Sequence, residues 1–217
     1  MKRALPSLSA LALLAILPSS ASAALVAHYT FTSGSFASTV FPGYTASTIT
    51  ENGFISVNTT TSAPGSGAAR AITLEQLGTT FGPDYYEFTI QTNPAGGPLN
   101  LGLLSFAYNA SGSGTAVQSR YQVHYDDLSD GSGFQELYTS DFTNSTTKLT
   151  ATVDLSSPAF DNLTNGITFR IYVADGGSDN TGSSVRIDDI MVDTVPEPGA
   201  AMLGLIGLGG FLLRRRR

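Results

Sequence analysis

The sequence predicts an all-β ectodomain, an antiparallel β-sandwich of the jelly-roll kind, between two ends that address a membrane. Three observations carry the prediction. Short runs rich in Val, Ile, Thr, Tyr and Phe alternate with clusters of Gly, Ser, Asn and Asp, which is the spacing of strands and turns. Two of those runs keep a strict period of two: Ile167, Phe169, Ile171 and Val173 alternate with Thr168, Arg170 and Tyr172, and Tyr86, Phe88 and Ile90 alternate with Glu87, Thr89 and Gln91. No window between the ends sustains the i, i+3, i+4, i+7 pattern of an amphipathic helix.

In chain order, Met1 to Ala23 reads as a secretory signal peptide. Lys2 and Arg3 precede the apolar run Leu8 to Leu17, then Pro18, then the small-residue site Ala21-Ser22-Ala23, with the cut expected before Ala24. A domain spanning 24–194 follows, about the size of a single domain. Its expected strands are Leu25 to Phe31, Thr45 to Thr50, Gly53 to Asn58, Tyr85 to Ile90, Leu101 to Tyr108, Tyr121 to Tyr125, Phe134 to Tyr138, Leu149 to Leu155, Ile167 to Val173 and Val185 to Val192. Ala69 to Leu77 is the best stretch for one short helix or turn. Ala110 to Thr115 and Asp175 to Ser184 read as exposed loops. In the last strand Val185 and Ile187 share one face while Ile190 and Val192 fall in the opposite phase. A β-bulge at Asp188-Asp189 would restore the alternation.

The remaining stretch, 195–217, has three parts in a fixed order: Val195-Pro196-Glu197-Pro198, an uncharged run from Gly199 to Leu213, and Arg214, Arg215, Arg216 and Arg217. The prolines fix φ, lack N–H groups and hold the tetrapeptide extended. As a helix, 199–213 would be roughly 22 Å long at about 1.5 Å per residue, against a hydrocarbon core of roughly 30 Å. It is weakened further by Gly204, Gly207, Gly209 and Gly210. The arginines hold its end on the cytoplasmic side. No strand precedes those glycines and no acid follows them, so a dinucleotide-binding loop is excluded.

This tail resembles the PEP-CTERM sorting signal of Gram-negative bacteria. The resemblance implies that exosortase, a membrane protease-transpeptidase, recognises Val195, Pro196, Glu197 and Pro198 after the Sec machinery has exported the chain, with Arg214 to Arg217 as the stop-transfer end. An ordinary C-terminal anchor would share the topology without the processing. More loosely, Leu25 to Phe31 and Val185 to Val192 are similar to the first and last strands of laminin-G-like or carbohydrate-binding jelly rolls, which implies a fold rather than a ligand.

Composition removes several functions. The chain has 11 basic and 17 acidic residues; six of the bases and one acid lie in the terminal segments, which leaves five bases against sixteen acids, a net charge of −11. Phosphate backbones repel such a domain, so no nucleic-acid partner is expected. Absence of cysteine removes thiol catalysis, thiolate metal sites and disulfides. There is no G-x-S-x-G elbow and no H-E-x-x-H. His28 and His124 sit in expected strands without an acid at motif spacing and read as rim or solvent-face residues. In Asp126 to Gly133 the EF-hand positions that need oxygen ligands hold Leu128 and Leu137, so the stretch reads as a hairpin turn. The Asn-x-Ser/Thr sequons at Asn58, Asn109, Asn144 and Asn162 follow from the Thr-rich composition.

Two sites remain as expectations. Asp188 or Asp189, turned by the bulge, is a candidate ligand for a structural calcium, or else a pair of solvated acids; jelly rolls of the resembling kind often hold calcium near the last strand. Tyr121, Tyr125 and Tyr138 are candidates for a sugar-stacking platform, or else core aromatics. The ectodomain is thus a non-catalytic surface module associated with extracellular polysaccharide. The alternative is a polysaccharide hydrolase or lyase on the same tail, with carboxylates brought together only by the fold.

Overall fold

A strand that alternates apolar and polar residues has one face to bury, and a second sheet is the usual way to bury it. The computed structural model describes residues 23–31, 36, 38–53, 56–60, 68–72, 81–93, 97–111, 118–144, 148–175 and 184–195, all within one unit, Ala23–Val195. Its strands are β1 Leu25–Tyr29, β2 Thr39–Val40, β3 Tyr44–Ala46, β4 Thr50–Asn52, β5 Ser56–Thr60, β6 Ala68–Ile72 and β7 Tyr85–Thr92. The second half holds β8 Leu101–Ser111, β9 Gln118–Asp127, β10 Gln135–Thr139, β11 Thr143–Asn144, β12 Leu149–Asp154, β13 Ile167–Asp175 and β14 Ser184–Thr194.

They form two antiparallel sheets. Sheet I runs β12-β8-β14-β1-β2, with β6 beside β14 and β5 beside β6. Sheet II runs β10-β9-β13-β7-β3, with β11 beside β9 and β4 beside β7. Successive strands change sheets at β7–β8–β9 and again at β12–β13–β14, the jelly-roll manner of winding. The sheets pack through aromatic contacts: Tyr29 of sheet I lies 5.1 Å from Phe88 of sheet II, and Phe106 lies 4.9 Å from Tyr121, measured between ring centroids. Phe88, Ile90, Phe169, Ile171 and Val173, the apolar set of the two alternating runs, are all buried.

Three elements depart from the expectation. Ala68–Ile72 is strand β6, paired with β5 and β14, and not the start of a helix; two neighbouring strands offset the weak β propensity of its alanines. The run expected at Thr45 to Thr50 is split into β3 and β4, both on β7, because Ser47 replaces part of the ladder with its side chain. Its N–H donates to Thr89 O at 2.9 Å and its Oγ accepts from Thr89 N at 3.0 Å. Strand β8 continues to Ser111, into the stretch read as a loop. Two-residue strands β2 and β11 had no signal in the sequence.

The bulge is where the phase slip placed it. Asp188 faces Ala107 and Met191 faces Ser105, so β14 spends one residue more than β8, and Asp189 takes up the difference at φ +50°. Val185, Ile187, Ile190 and Val192 are then all buried on the same side. Among the described residues no helix is long and apolar enough to cross a membrane. The expected signal-peptide run up to Ser22 and the tail from Pro196 onward, where a helix over 199–213 is expected, lie outside the described residues.

Candidate binding face

The buried set of sheet II fixes where the other residues of its strands must go. Register places Tyr85 beside Tyr172 and then Gln122, Glu87 beside Arg170 and then His124, and Thr89 beside Thr168 and then Asp126. These three rows lie on the face turned away from the core. Arg170 Nε donates to Glu87 Oε2 at 2.7 Å. Its guanidinium carbon sits 4.4 Å from the Tyr85 ring centre and 3.5 Å from that of Phe134. Tyr172 lies 5.0 Å from Tyr85 and 4.8 Å from the His124 ring. The hydroxyls of Thr89 and Thr168 are 2.9 Å apart.

Farther along the same face of β9, the Arg120 guanidinium lies between the rings of Phe81 and Phe142, at 4.3 and 4.6 Å. Cation–π contacts of this kind hold both arginines flat against the sheet. Burial, with a smaller contribution from Arg170, holds the His124 imidazole below its ordinary range, against the opposing pull of Glu136. The ring is therefore neutral at neutral pH. Its Nε2 and Arg120 Nε are buried without a hydrogen-bond partner among the described residues. Partly buried rings beside guanidinium, amide and carboxylate groups can stack on a flat apolar surface while bonding its hydroxyls, which is the chemistry a sugar presents.

The expected platform is not formed. Tyr121, Val123 and Tyr125 alternate on the inward face of β9, where they oppose Val173, Ile171 and Phe169. Tyr121 is only 5 % exposed and packs between Phe106 and Tyr108. Tyr125 lies 4.9 Å from Phe160 and donates its hydroxyl to Gln135 Oε1 at 3.3 Å. Tyr138, 41 % exposed on edge strand β10, stacks on Tyr121. Parity decides this: odd positions of β9 face the core, so the outward-facing groups are the even ones. Tyr172 and Arg170 were legible as the polar partners of the alternating run, but which rings would cluster depended on register.

At the bulge, Asp188 and Asp189 separate. Asp188 is 1 % exposed and its Oδ1 accepts from Asp189 N at 2.9 Å. Burial raises its carboxyl above the usual carboxylate range, and the neighbouring Asp189 charge adds to this. Asp189 Oδ2 accepts from Lys148 Nζ at 3.1 Å, and its Oδ1 lies 3.4 Å from His28 Nε2. Lys148 already supplies the positive charge that Asp189 requires. Among the described residues no group of three or more His, Cys, Asp or Glu could hold a metal ion. His28 thus has an acid partner, distant in sequence by 161 positions.

The Asp126 to Gly133 stretch is a turn between β9 and β10. Asp127 Oδ1 accepts from Ser129 N and Oγ at 2.9 and 2.6 Å, and Asp130 Oδ1 accepts from Ser132 N at 2.8 Å. These local bonds engage one oxygen each of Asp127 and Asp130, the pattern of a turn.

No family model matches the chain, and no curated protein matches it. Among solved structures, the K3 cleaved adhesin domain of Lys-gingipain from Porphyromonas gingivalis is similar at a TM-score of 0.44 and 17 % identity, over 79 % of this chain and 100 % of that one. The CBM22-1 xylan-binding domain of Paenibacillus barcinonensis Xyn10C is similar at 0.45 and 8 %, over 79 % and 94 % of the two chains. A xylan-binding module, CBM15, is similar at 0.40 and 14 %, over 69 % and 97 %. Likenesses of this degree argue for neither a ligand nor an activity.

Proposed function

We propose that this chain is an exported surface protein of a Gram-negative bacterium, held in the inner membrane by its tail until exosortase processes it. Its ectodomain is a non-catalytic module that binds extracellular polysaccharide. The ordered tail of Pro-Glu-Pro, short apolar run and four arginines supports the sorting half. The binding half is carried by one observation: Tyr85, Tyr172 and His124, each partly buried, gather around the Arg170–Glu87 pair on the outward face of sheet II. Glu87 is engaged by Arg170, so it is a positioning and hydrogen-bonding group in this reading and not a free acid for hydrolysis.

A glycan array probed with the 24–194 domain tests the binding half. Retention on at least one polysaccharide class is expected, with Tyr172→Ala weakening it by roughly 5- to 150-fold, the scale of one lost base- or ring-stacking contact. Tyr138→Ala should bind like wild type; the opposite ranking would move the site to the edge of the sheet. Mass spectrometry of the surface-exposed protein tests the sorting half, since an intact Arg217 on most of it would reduce the tail to an anchor.

A further inference from the structure

The described residues that border the two expected processing sites, Ala24 on one side and Thr194 and Val195 on the other, lie at one end of sheet I. Ala24, the first residue after the expected signal-peptidase site, accepts from Thr194 N at 2.9 Å and donates its own N–H to Thr194 Oγ1 at 3.1 Å. Leu25 opposes Asp193. On the other flank Asp193 opposes Leu103 and Thr194 opposes Leu101, so Gly102 has no register partner on β14, while its carbonyl accepts from Leu155 N at 3.0 Å. A Cβ at Gly102 would stand 2.8 Å from Thr194 O and 2.9 Å from Val195 N, so only glycine lets the end of β14 lie this close. Val195 N then donates to Asn100 O at 3.3 Å. Asn100 is itself fixed, because its Oδ1 accepts from Asn162 N at 2.8 Å.

Strand β14 is therefore paired up to Val195, the residue immediately ahead of Pro196. A protease groove takes its substrate as an extended, unpaired strand and forms backbone hydrogen bonds with it. The residues preceding the motif already spend theirs within sheet I. Strand β14 is also last in the chain yet lies between β8 and β1, so sheet I closes only after the whole domain has been exported.

We propose, resting on the sorting reading above, that docking of β14 gates the removal of the tail: the ladder end at Asp193 to Val195 must open before the processing enzyme can engage the chain. The folded domain thereby slows its own release from the membrane. Moving the motif away from the ladder removes the gate without touching the domain.

The test follows precursor conversion of the full-length protein in its native host by pulse-chase. A flexible Gly/Ser insertion of about six residues between Thr194 and Val195 provides that separation and leaves the motif from Val195 to Pro198 intact. Conversion should accelerate roughly tenfold, the scale of opening one or two ladder hydrogen bonds. Gly102→Ala, which forces the ladder end apart, should accelerate it as well. An unchanged rate in the insertion variant overturns the gate and means that the enzyme reads only from Val195 onward. A slower rate overturns it too, because the domain end would then be part of the enzyme's docking surface. If neither wild type nor insertion variant is cut, the sorting reading falls and the gate with it. An uncut wild type beside a cut insertion variant supports the gate as a complete block.

Discussion

Strands β13 and β14 occupy the centres of the two sheets, yet only β13 keeps its two-residue period throughout. Nine successive residues of β13, Ile167 to Asp175, face β9 without a register shift. Strand β14 loses its register between Asp188 and Met191, with Asp189 at φ +50°. An unbroken register stacks like positions in rows, which is why Tyr85, Tyr172, Arg170 and His124 gather into one continuous face. An inserted residue breaks the rows. At the bulge the outer face of sheet I carries Asp188, Asp189, His28 and Lys148 in place of rings, and one of those carboxyls is buried. The regular strand supplies a surface, whereas the irregular one supplies a local charge cluster.

The sharpest way to break the comparison is to empty the core under β13. Phe169→Ala should cost about 3–5 kcal/mol in denaturant unfolding, the usual range for a large core aromatic. A loss below about 1 kcal/mol would mean that sheet II does not rest on this strand. Gly166, which leads into β13, has φ +95°, and a Cβ there would overlap Ile90 O. Gly166→Ala should therefore cost about 1–3 kcal/mol, the scale of local backbone strain. It should also perturb the pairing of Ile167 with Ile90, visible as faster amide exchange at the start of β13.

Smaller effects are expected at the bulge. Asp188 has its carboxyl raised by burial, so in the window between its ordinary and its folded pKa the folded state holds more protons than the unfolded one. The sign is then fixed: this group favours folding at low pH and loses that contribution as pH rises through the window above the ordinary carboxylate range. Asp188→Asn keeps the acceptor for Asp189 N but cannot ionise. Thermal melts across acid to neutral pH should show a smaller decline in the variant than in wild type. Equal declines would place the pH dependence on the other raised carboxyls, Asp193 and Glu51.

Smallest of all is Asp189→Gly. It removes the partly exposed ion pair to Lys148 and the contact with His28, with Lys148 46 % and Asp189 34 % exposed, so little stability is lost. It also relieves a left-handed backbone, and the net change should stay within about 1 kcal/mol. Asp189→Val should be clearly worse, because a β-branched residue resists that conformation. If both variants unfold alike, the backbone at Asp189 is not the point where β14 changes phase. Calcium added to wild type and to Asp189→Ala bears on the same cluster: stabilisation of wild type alone would make Asp189 a calcium ligand, and equal stabilisation of both would remove it from consideration.

Local pattern was enough for the parts of this protein that depend on neighbours in sequence. Alternation from Ile167 to Val173 named the buried set of β13, because side chains on a strand point to opposite faces whatever it pairs with. The phase slip from Ile187 to Ile190 located the bulge for the same reason. Export and sorting are likewise expected from contiguous runs at the two ends, since translocation and membrane insertion read the chain linearly. What the sequence could not supply was which faces and ends meet. Tyr121 and Tyr172 look alike as strand tyrosines, but parity against the opposing sheet sends one into the core and the other to the open face. His28 and Asp189, Ala24 and Thr194, and Gly102 and Val195 are brought together by strand order. Such contacts between residues far apart in sequence leave no periodic trace in the chain, so only the tertiary structure decided them.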